Sequence, residues 1–180
     1  MLVAALALLA AGGPAVVPPR PPTEVSALTV YPPTNPPKVV ASYPADGAAV
    51  PPGVVVIKVT FDQRMQPAGF DIGPGSGEGG AAETPPCLKT PRLLNDGKTF
   101  VLLCTLRAGR SYAVTLNGGL PSDGANNGFS NIAERRAQPI ALSFTTTRAD
   151  PVRSLDEAMK LEGLTALDIP VQEDPQRQAP

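Results

Sequence analysis

Residues 37–65, PKVVASYPADGAAVPPGVVVIKVTFDQRM, constrain the fold of this chain more than any other stretch. A short extended segment at 38–43 is followed by a Pro-Ala-Asp-Gly turn, a Pro-Pro-Gly turn and a long β-branched segment at 54–61. Side chains branched at Cβ favour extended backbone, whereas proline and glycine mark the turns between strands. The stretch therefore predicts two strands at the opening of a β-sandwich.

The pattern of short strands and turns continues to residue 147. The predicted strands, about seven in number, lie at 38–43, 54–61, 70–72, 88–94, 99–105, 111–117 and 139–147. Alternation places one set of apolar side chains on buried faces, namely Val55, Ile57, Val59, Phe61, Tyr112, Val114, Leu116, Ile140, Leu142 and Phe144. Residues 69–82 are rich in glycine and predict a flexible loop, and residues 120–131 predict a polar loop. Short alternating strands separated by turns indicate an all-β fold of two antiparallel sheets.

Residues 1–15 have the apolar run and the small residues of a secretory signal peptide. The run at 2–11 is shorter than the about 20 residues that a membrane-spanning helix needs. No Lys or Arg precedes the run, which departs from the usual signal. We expect cleavage near Ala15, with residues 11–13 as the alternative. The mature chain is then secreted or periplasmic and has no transmembrane segment.

Residues 16–37 form a proline-rich segment between the signal and the strands. Proline fixes φ and lacks an amide donor, so this segment predicts an extended linker in the polyproline II conformation. The sandwich is predicted to span residues 38–147. At the other end of the chain, residues 170–180 are polar and are predicted to be disordered.

Residues 148–180 form a tail with one short predicted helix at 154–162. Ser154 and Glu157 match a capping box at its start, and Gly163 is a typical residue at a helix end. A helix of this length is not stable alone, so it must dock on the sandwich, meet a partner or fray.

Charge and residue types limit the functions open to the chain. It carries 15 Lys and Arg against 16 Asp and Glu, a net charge of −1 at pH 7, so we expect no nucleic-acid partner. The sequence has no histidine, which excludes Ser-His-Asp and Cys-His catalytic arrangements. Four acidic residues in or beside the first predicted loop show no spacing that pairs two carboxylates: Asp62, Asp71, Glu78 and Glu83. We therefore predict that the chain has no catalytic residue and is not an enzyme.

Two segments resemble ligand-binding loops in composition alone. Residues 73–77 are rich in glycine but lack the Lys-Ser/Thr pair and the helix that follow in a phosphate-binding loop. Residues 123–127 contain Asp, Gly and Asn but lack the alternating acidic spacing and the distal Glu of a calcium loop. An ordinary turn is the favoured interpretation of the second segment. We predict no metal ligand and no cofactor.

Cys87 and Cys104 are the only cysteines, and an even pair in an exported chain predicts a disulfide. A two-residue turn at Asn95-Asp96 places them directly opposite each other, because each lies eight residues from that turn. With the turn at Asp96-Gly97 instead, the two cysteines are offset. A redox-active or metal-binding pair is the alternative, but the spacing is not Cys-x-x-Cys and the chain has no histidine.

Several short motifs together resemble the bacterial Ig-like domain of the SbsA/Big type. They are VASYPADGA at 40–48, the strand at 54–61, FDQRM at 61–65, DGKT at 96–99, LRAGRSY at 106–112 and ALSFTT at 141–146. The likeness covers about residues 36–147 and implies an Ig-like antiparallel sandwich. It also implies a role as a spacer, an adhesive domain or a carbohydrate-associated module of envelope and secreted proteins. The tryptophan that often precedes the Asp-Gly turn in this family is missing.

The same turn and strand also resemble periplasmic copper-binding sandwiches of the CopC type. Those proteins bind copper through histidine and methionine, whereas this chain has no histidine and has Met65 alone within the predicted domain. The sequence therefore favours a non-catalytic, exported structural or binding module of the bacterial cell envelope, whose partner is an unknown envelope protein or glycan. An accessory subunit of a secreted enzyme or adhesin complex is the alternative, and a periplasmic metal-binding carrier is less favoured.

Overall fold

The computed structural model describes residues 35–75, 82–119, 128–165 and 167–168. The predicted signal at 1–15, nearly all of the predicted linker at 16–37 and the residues predicted to be disordered, 170–180, lie outside the described residues. The part of the chain that the structure describes forms two four-stranded sheets and one short helix, which confirms the prediction of an all-β sandwich.

The elements follow one another along the chain as β1 (Val39–Tyr43), β2 (Ala49–Val50), β3 (Gly53–Phe61), β4 (Ile72–Pro74), β5 (Arg92–Leu93), β6 (Thr99–Leu106), β7 (Ser111–Leu116), β8 (Ile140–Thr146) and α1 (Leu155–Leu161). The first sheet has the strand order β1-β3-β6-β5, and the second has the order β2-β8-β7-β4. Neighbouring strands are antiparallel, except for the parallel pair of β2 and β8. This grouping corresponds to the ABED and GFC sheets of an Ig-like sandwich, with β2 added beside the last strand.

Two strands differ from their predicted bounds by two residues or more. The strand expected at 88–94 is reduced to β5, and the strand expected at 70–72 begins instead at Ile72. β4 therefore forms inside the stretch predicted as a flexible loop at 69–82, of which residues 76–81 lie outside the described residues. Pairing with β7 makes this glycine-containing segment extended, and no local alternation indicates it.

The inner faces of the two sheets build the main core. Alternate residues of β3 and β6 pack against alternate residues of β7 and β8, as the predicted faces require. The buried members include Val55, Ile57, Val59, Phe61, Phe100, Leu102, Tyr112, Val114, Leu116, Leu142 and Phe144, and Ile140 is partly buried against them. Full burial stabilises the fold by about 1.5 to 3 kcal/mol for each side chain of this size, so this layer is the main source of stability.

The Pro-Ala-Asp-Gly turn carries the chain from the first sheet to the second. Asp46 Oδ1 accepts hydrogen bonds from Ser143 N at 2.8 Å and Ser143 Oγ at 3.0 Å. Gly47 adopts φ +74° and donates from its backbone N to Ser143 O at 2.7 Å. The hydrogen bonds from Ser143 lower the pKa of the Asp46 carboxyl below its ordinary value. The turn that predicted the sandwich therefore fixes β2 against β8.

The tail helix α1 docks on the outer face of the first sheet. Four side chains of β3 and β6 point outward and are buried: Val54, Val56, Val101 and Leu103. The tail covers them with Val152, Leu155, Ala158 and Met159. Of the three alternatives that the sequence leaves open for this helix, namely docking on the sandwich, meeting a partner or fraying, the structure shows docking. No helix in the described ranges is long and apolar enough to cross a membrane.

Both ends of α1 are capped. Ser154 Oγ accepts from Glu157 N at 3.2 Å, whereas Glu157 Oε2 accepts from Arg153 N, one residue before the position expected in a capping box. At the other end, Gly163 has φ +66° and Leu164 N donates to Met159 O at 2.9 Å, as in a Schellman motif. These caps satisfy backbone groups that a helix of seven residues otherwise leaves exposed.

Two further contacts fix the tail on the sheet. Lys58 Nζ lies 3.2 Å from Glu162 Oε2 and donates to the Glu162 backbone oxygen at 3.1 Å. Burial raises the pKa of the Glu162 carboxyl above its ordinary value, although the hydrogen bond and charge of Lys58 oppose that shift. At Gly53, a Cβ atom would lie 2.1 Å from Val152 O, so only glycine lets the tail pass this close to β3.

Cys87 and Cys104 form a disulfide and face each other as an antiparallel pair. The turn, however, is not the two-residue turn at Asn95-Asp96. Leu94 N donates to Thr99 O at 2.8 Å, so a four-residue connection at 95–98 is centred on Asp96-Gly97.

An irregularity in the outer segment keeps the cysteines opposite each other despite this turn. Leu88 pairs with Leu103 through a backbone hydrogen bond, whereas Arg92 is paired with Val101. Four residues along the outer segment therefore oppose two along β6, and the two extra residues absorb the offset.

We expect removal of the disulfide by the double substitution Cys87→Ala and Cys104→Ala to lower the free energy of unfolding by about 3 kcal/mol. The cross-link closes a loop with a sequence separation of 17 residues, which reduces the conformational freedom of the unfolded chain. Urea unfolding of the oxidised protein and of the double variant measures the difference. Unfolding of the native protein in excess dithiothreitol is the control. Equal midpoints for oxidised and reduced protein would contradict the prediction.

A matched pair of substitutions tests the docking of α1. Met159 is 2% exposed and packs on the sheet, whereas Leu161 is 57% exposed on the same helix. We expect Met159→Ala to reduce stability by about 2 to 3 kcal/mol and Leu161→Ala by less than about 0.5 kcal/mol. Thermal and urea unfolding check both values, and similar losses for the two variants would show that α1 is not docked in this orientation.

Candidate functional site

Three connections between strands lie at one end of the sandwich, which we call the loop end. They are residues 62–71 between β3 and β4, 94–98 between β5 and β6, and 117–139 between β7 and β8. Residues 120–127 lie outside the described residues, and with them lie most of the predicted polar loop and all of the calcium-like segment 123–127. Loops on a rigid sandwich are the usual place for binding surfaces in domains of this architecture.

Backbone hydrogen bonds clamp the β3–β4 connection between the other two. Met65 N donates to Gly97 O at 2.8 Å, and Gln66 N donates to Ser130 O at 2.9 Å. The Met65 side chain is 3% exposed and packs in the main core, so this methionine serves packing. The three connections therefore form one continuous surface.

A buried amide organises the exposed tip of the β7–β8 connection. Asn131 is 1% exposed, and its Oδ1 accepts from Ala133 N at 3.0 Å and from Arg135 N at 2.9 Å. Its Nδ2 donates to Gln63 Oε1 at 2.9 Å, which ties the tip to the β3–β4 connection. Glu134 at the tip adopts φ +61°. A tip with this many fixed hydrogen bonds loses little freedom when a partner binds.

A second buried amide holds the base of the same connection. Asn117 is 1% exposed, adopts φ +55° and donates from Nδ2 to Phe129 O and Ala137 O, both at 3.0 Å. Its Oδ1 accepts from Phe129 N at 2.8 Å. Asparagine tolerates this left-handed backbone better than most residues. The side chain thereby replaces the strand pairing that ends at this point.

An ion pair joins the β3–β4 and β7–β8 connections. Arg136 Nη2 lies 2.9 Å from Asp71 Oδ2 and also donates to Gly119 O at 2.9 Å. The same carboxylate oxygen accepts from Gly119 N at 2.8 Å. Asp71 and Arg136 therefore have structural partners within the fold.

Other candidates from the sequence also have structural contacts. Asp62 Oδ1 accepts from Lys38 N at 2.9 Å, and Glu83 forms a loose ion pair with Arg110 at 3.6 Å. Glu78 lies outside the described residues. Within the described ranges, no group of three or more Cys, Asp or Glu side chains is placed to hold a metal ion.

A shallow groove adjoins the loop end between residue 67 and residues 88–93. Its volume is about 510 Å³, and its walls include Pro67, Leu88, Lys89, Pro91 and Arg92. The two extra residues of the outer segment, which lie between Leu88 and Arg92, form part of the rim of this groove. The groove offers apolar contact and positive charge, and its lining contains no carboxylate or thiol.

Ile132 lies in the β7–β8 connection at the loop end and is 41% exposed. Ile132 N donates to Arg64 O at 3.3 Å, and Arg135 lies three residues further along the same tip. The Arg64 guanidinium lies over Gly97, where a Cβ atom would be 3.3 Å from Arg64 Nε. Arg64, Ile132 and Arg135 are all exposed, and we call them the loop-end patch. The loop-end patch therefore combines one exposed aliphatic side chain with two exposed arginines on neighbouring connections.

At the opposite end, Tyr112 forms a contact that the sequence reasoning missed. Its hydroxyl oxygen accepts from Arg107 N at 2.9 Å, and the side chain is 1% exposed. A tyrosine near the start of the sixth Ig strand that bonds backbone a few residues upstream is the tyrosine corner of Ig-like sandwiches. The spacing of Leu106, Gly109 and Tyr112 in LRAGRSY is the signal that points to it.

Asp96 is the internal cap of the β5–β6 turn. Its Oδ1 accepts from Lys98 N at 2.8 Å and Thr99 N at 2.9 Å, and its Oδ2 accepts from Thr99 Oγ1 at 2.6 Å. Partial burial acts to raise the pKa of the Asp96 carboxyl, but the hydrogen bonds from Thr99 and Lys98 outweigh it and lower the pKa. The ionised carboxylate therefore stabilises the turn.

We expect this stabilisation to depend on pH. Because the pKa of Asp96 is lower in the folded state, its contribution is present above about pH 4 and declines as the pH falls through the folded value. Asp96→Asn should therefore destabilise the protein at pH 7 more than at pH 2.5, as measured by urea midpoints. Asp150→Asn is the control, because Asp150 is exposed and its carboxylate accepts no hydrogen bond from another described residue. An equal loss of stability for Asp96→Asn at pH 7 and at pH 2.5 would contradict the prediction that the ionised Asp96 carboxylate stabilises the turn.

Comparison with known proteins agrees with the strand order and the tyrosine corner. Residues 33–146 match the bacterial Ig-like domain family, which is more than half of the chain. No curated protein and no solved structure matches the chain. The helix α1 lies beyond the matched residues. The chain belongs to the bacterial Ig-like domain family.

Proposed function

We propose that the chain is a non-catalytic, exported structural or binding module of the bacterial cell envelope. The observation that carries this proposal is the rigid loop end on a sandwich of the bacterial Ig-like family. The polar side chains that bridge its connections, including Asp71, Asn117 and Asn131, are engaged in hydrogen bonds within the fold. Such groups supply a fixed surface and not a reacting group.

Export is supported by two independent features. The disulfide of Cys87 and Cys104 is of a kind that persists in oxidising compartments and is rare in the cytosol. Residues 1–15 have the composition of a secretory signal. Together they support a secreted or periplasmic location.

A binding role is supported by the loop-end patch. A spacer needs only a stable fold, whereas an exposed aliphatic side chain on rigid connections that also carry exposed arginines favours recognition of a partner. An envelope protein or a glycan is the partner class that the family membership suggests. The shallow groove at residues 88–93 adjoins this surface and extends the area available for contact.

Expression of the full chain in a bacterial host tests export. We expect to find the protein in the periplasm or the medium. Its mass should be that of a chain cleaved after about residue 15. A non-reducing digest should contain a peptide pair in which Cys87 is joined to Cys104. An unprocessed, reduced protein in the cytosol would overturn the proposal of export.

The binding role is tested with the same exported protein against glycan arrays and envelope fractions. Ile132→Asp should reduce capture at least tenfold, whereas Ala108→Asp at the exposed turn of the opposite end should leave it unchanged. Reproducible hydrolysis of a substrate by the wild-type protein would instead identify an enzyme.

A further inference from the structure

The chain enters the sandwich at the loop end through residues 35–38, which we call the entry segment. Pro37 is less than 2% exposed. Lys38 N donates to Asp62 Oδ1 at 2.9 Å, and Asp62 N donates to Lys38 O at 2.9 Å. Asn35 precedes a proline, which favours extended backbone at this residue. The entry segment is therefore fixed beside the start of the β3–β4 connection.

Gln63 connects the entry segment to the tip of the β7–β8 connection, residues 131–135. Its Nε2 donates to the Asn35 backbone oxygen at 3.0 Å, and its Oε1 accepts from Asn131 Nδ2 at 2.9 Å. Asn131 Nδ2 also donates to the same Asn35 oxygen, at the longer distance of 3.5 Å. Two side-chain amides from separate connections therefore converge on one backbone oxygen of the entry segment.

The Asn131 side chain joins this contact to the exposed part of the tip. Its Oδ1 accepts from Ala133 N at 3.0 Å and from Arg135 N at 2.9 Å, and Ile132 lies inside the loop that these bonds close. Asn131 is 1% exposed, and a buried amide group is held by its hydrogen-bond partners within the fold. The conformation of the tip therefore depends on how this amide is held.

We propose that the entry segment controls the order of the tip. A seated entry segment supplies the Asn35 oxygen that fixes Gln63, and Gln63 in turn fixes Asn131. Displacement of the entry segment removes this acceptor, and the tip then gains conformational freedom. Because a loose tip must be ordered again when a partner binds, the displacement weakens binding at the loop end. This last step rests on the proposed function, whereas the coupling of the two segments does not.

Two substitutions displace the entry segment through different side chains. Gln63→Glu keeps an oxygen that accepts from Asn131 Nδ2 but removes the donor to Asn35 O, and the ionised carboxylate repels that oxygen. Asp62→Ala removes the acceptor of Lys38 N and leaves the Gln63 and Asn131 side chains unchanged. An effect on the tip that both substitutions share is therefore transmitted by the entry segment.

Amide hydrogen exchange in the full chain measures the entry segment and the tip separately. The amide of residue 62, which donates to Lys38 O, reports the entry segment, and the amides of Ala133 and Arg135 report the tip. We expect both substitutions to lower all three protection factors about tenfold, as the loss of one hydrogen bond does. Gln66→Glu is the matched control and should leave them unchanged, because it adds a charge nearby and Gln66 bonds the β7–β8 connection through its backbone.

The pattern of protection decides between coupling and other effects. A fall at residue 62 alone overturns the proposal, because the entry segment then moves without the tip. A fall at the tip alone also overturns it, since the substitutions then act on the tip directly. Amides of the β3–β6 pair should keep their wild-type protection, and an equal fall throughout the sandwich would mean a global loss of stability and overturn local coupling. Unchanged protection in both variants would show that these contacts do not hold the entry segment, which overturns the proposal as well.

The partner assay separates this inference from the proposed function. Against the same glycan arrays and envelope fractions, Gln63→Glu and Asp62→Ala should reduce capture several-fold, whereas Gln66→Glu should not. A coupled fall in protection, with no partner captured by the wild-type protein, would support the coupling and overturn the binding role. Capture that depends on Ile132, without a coupled fall in protection, would support the binding role and overturn the coupling.

Discussion

The pairing of β3 with β6 is the interaction on which the rest of this structure depends. The two strands are in antiparallel register from Gly53 opposite Leu106 to Thr60 opposite Thr99. Both faces of this central pair are buried, the inner face against the second sheet and the outer face against α1. A slip of one residue would exchange the two faces, and both layers would meet the wrong side chains. Burial of both faces therefore fixes the register of β3 and β6. The connections at the loop end are attached to this rigid pair.

Long strands with clear alternation could be predicted from the sequence because their inner faces follow a local rule. The outer face of β3 could not, because Lys58 interrupts its apolar residues and makes the face look solvated. The structure shows that Lys58 pairs with Glu162, more than a hundred residues away, so the interruption belongs to a second buried interface. β2 also could not be predicted from the sequence, since it is held by backbone hydrogen bonds from Thr145 to Ala48 O and from Thr147 to Val50 O and has no side-chain pattern.

The β5–β6 hairpin shows how local rules interact. A two-residue turn at Asn95-Asp96 is a sound expectation from turn chemistry, but the three hydrogen bonds accepted by Asp96 favour a four-residue turn. The cysteines still face each other because two extra residues accumulate before β5. The predicted and observed cysteine pairs therefore agree, although the predicted and observed registers near the turn differ. The difference matters because the irregular residues form part of the groove beside the loop end.

The candidate site was the least predictable part, because polar loop residues look alike in sequence and differ in burial. Asn117 and Asn131 are the most buried polar side chains at the loop end, and each closes several backbone groups that would otherwise lack partners. Arg136 is committed to Asp71, whereas Arg135, its neighbour in the chain, is exposed. Two adjacent arginines thus have different roles: Arg136 stabilises the connections, and Arg135 is exposed on their surface. The packing of three separate connections determines these roles, and the local sequence does not.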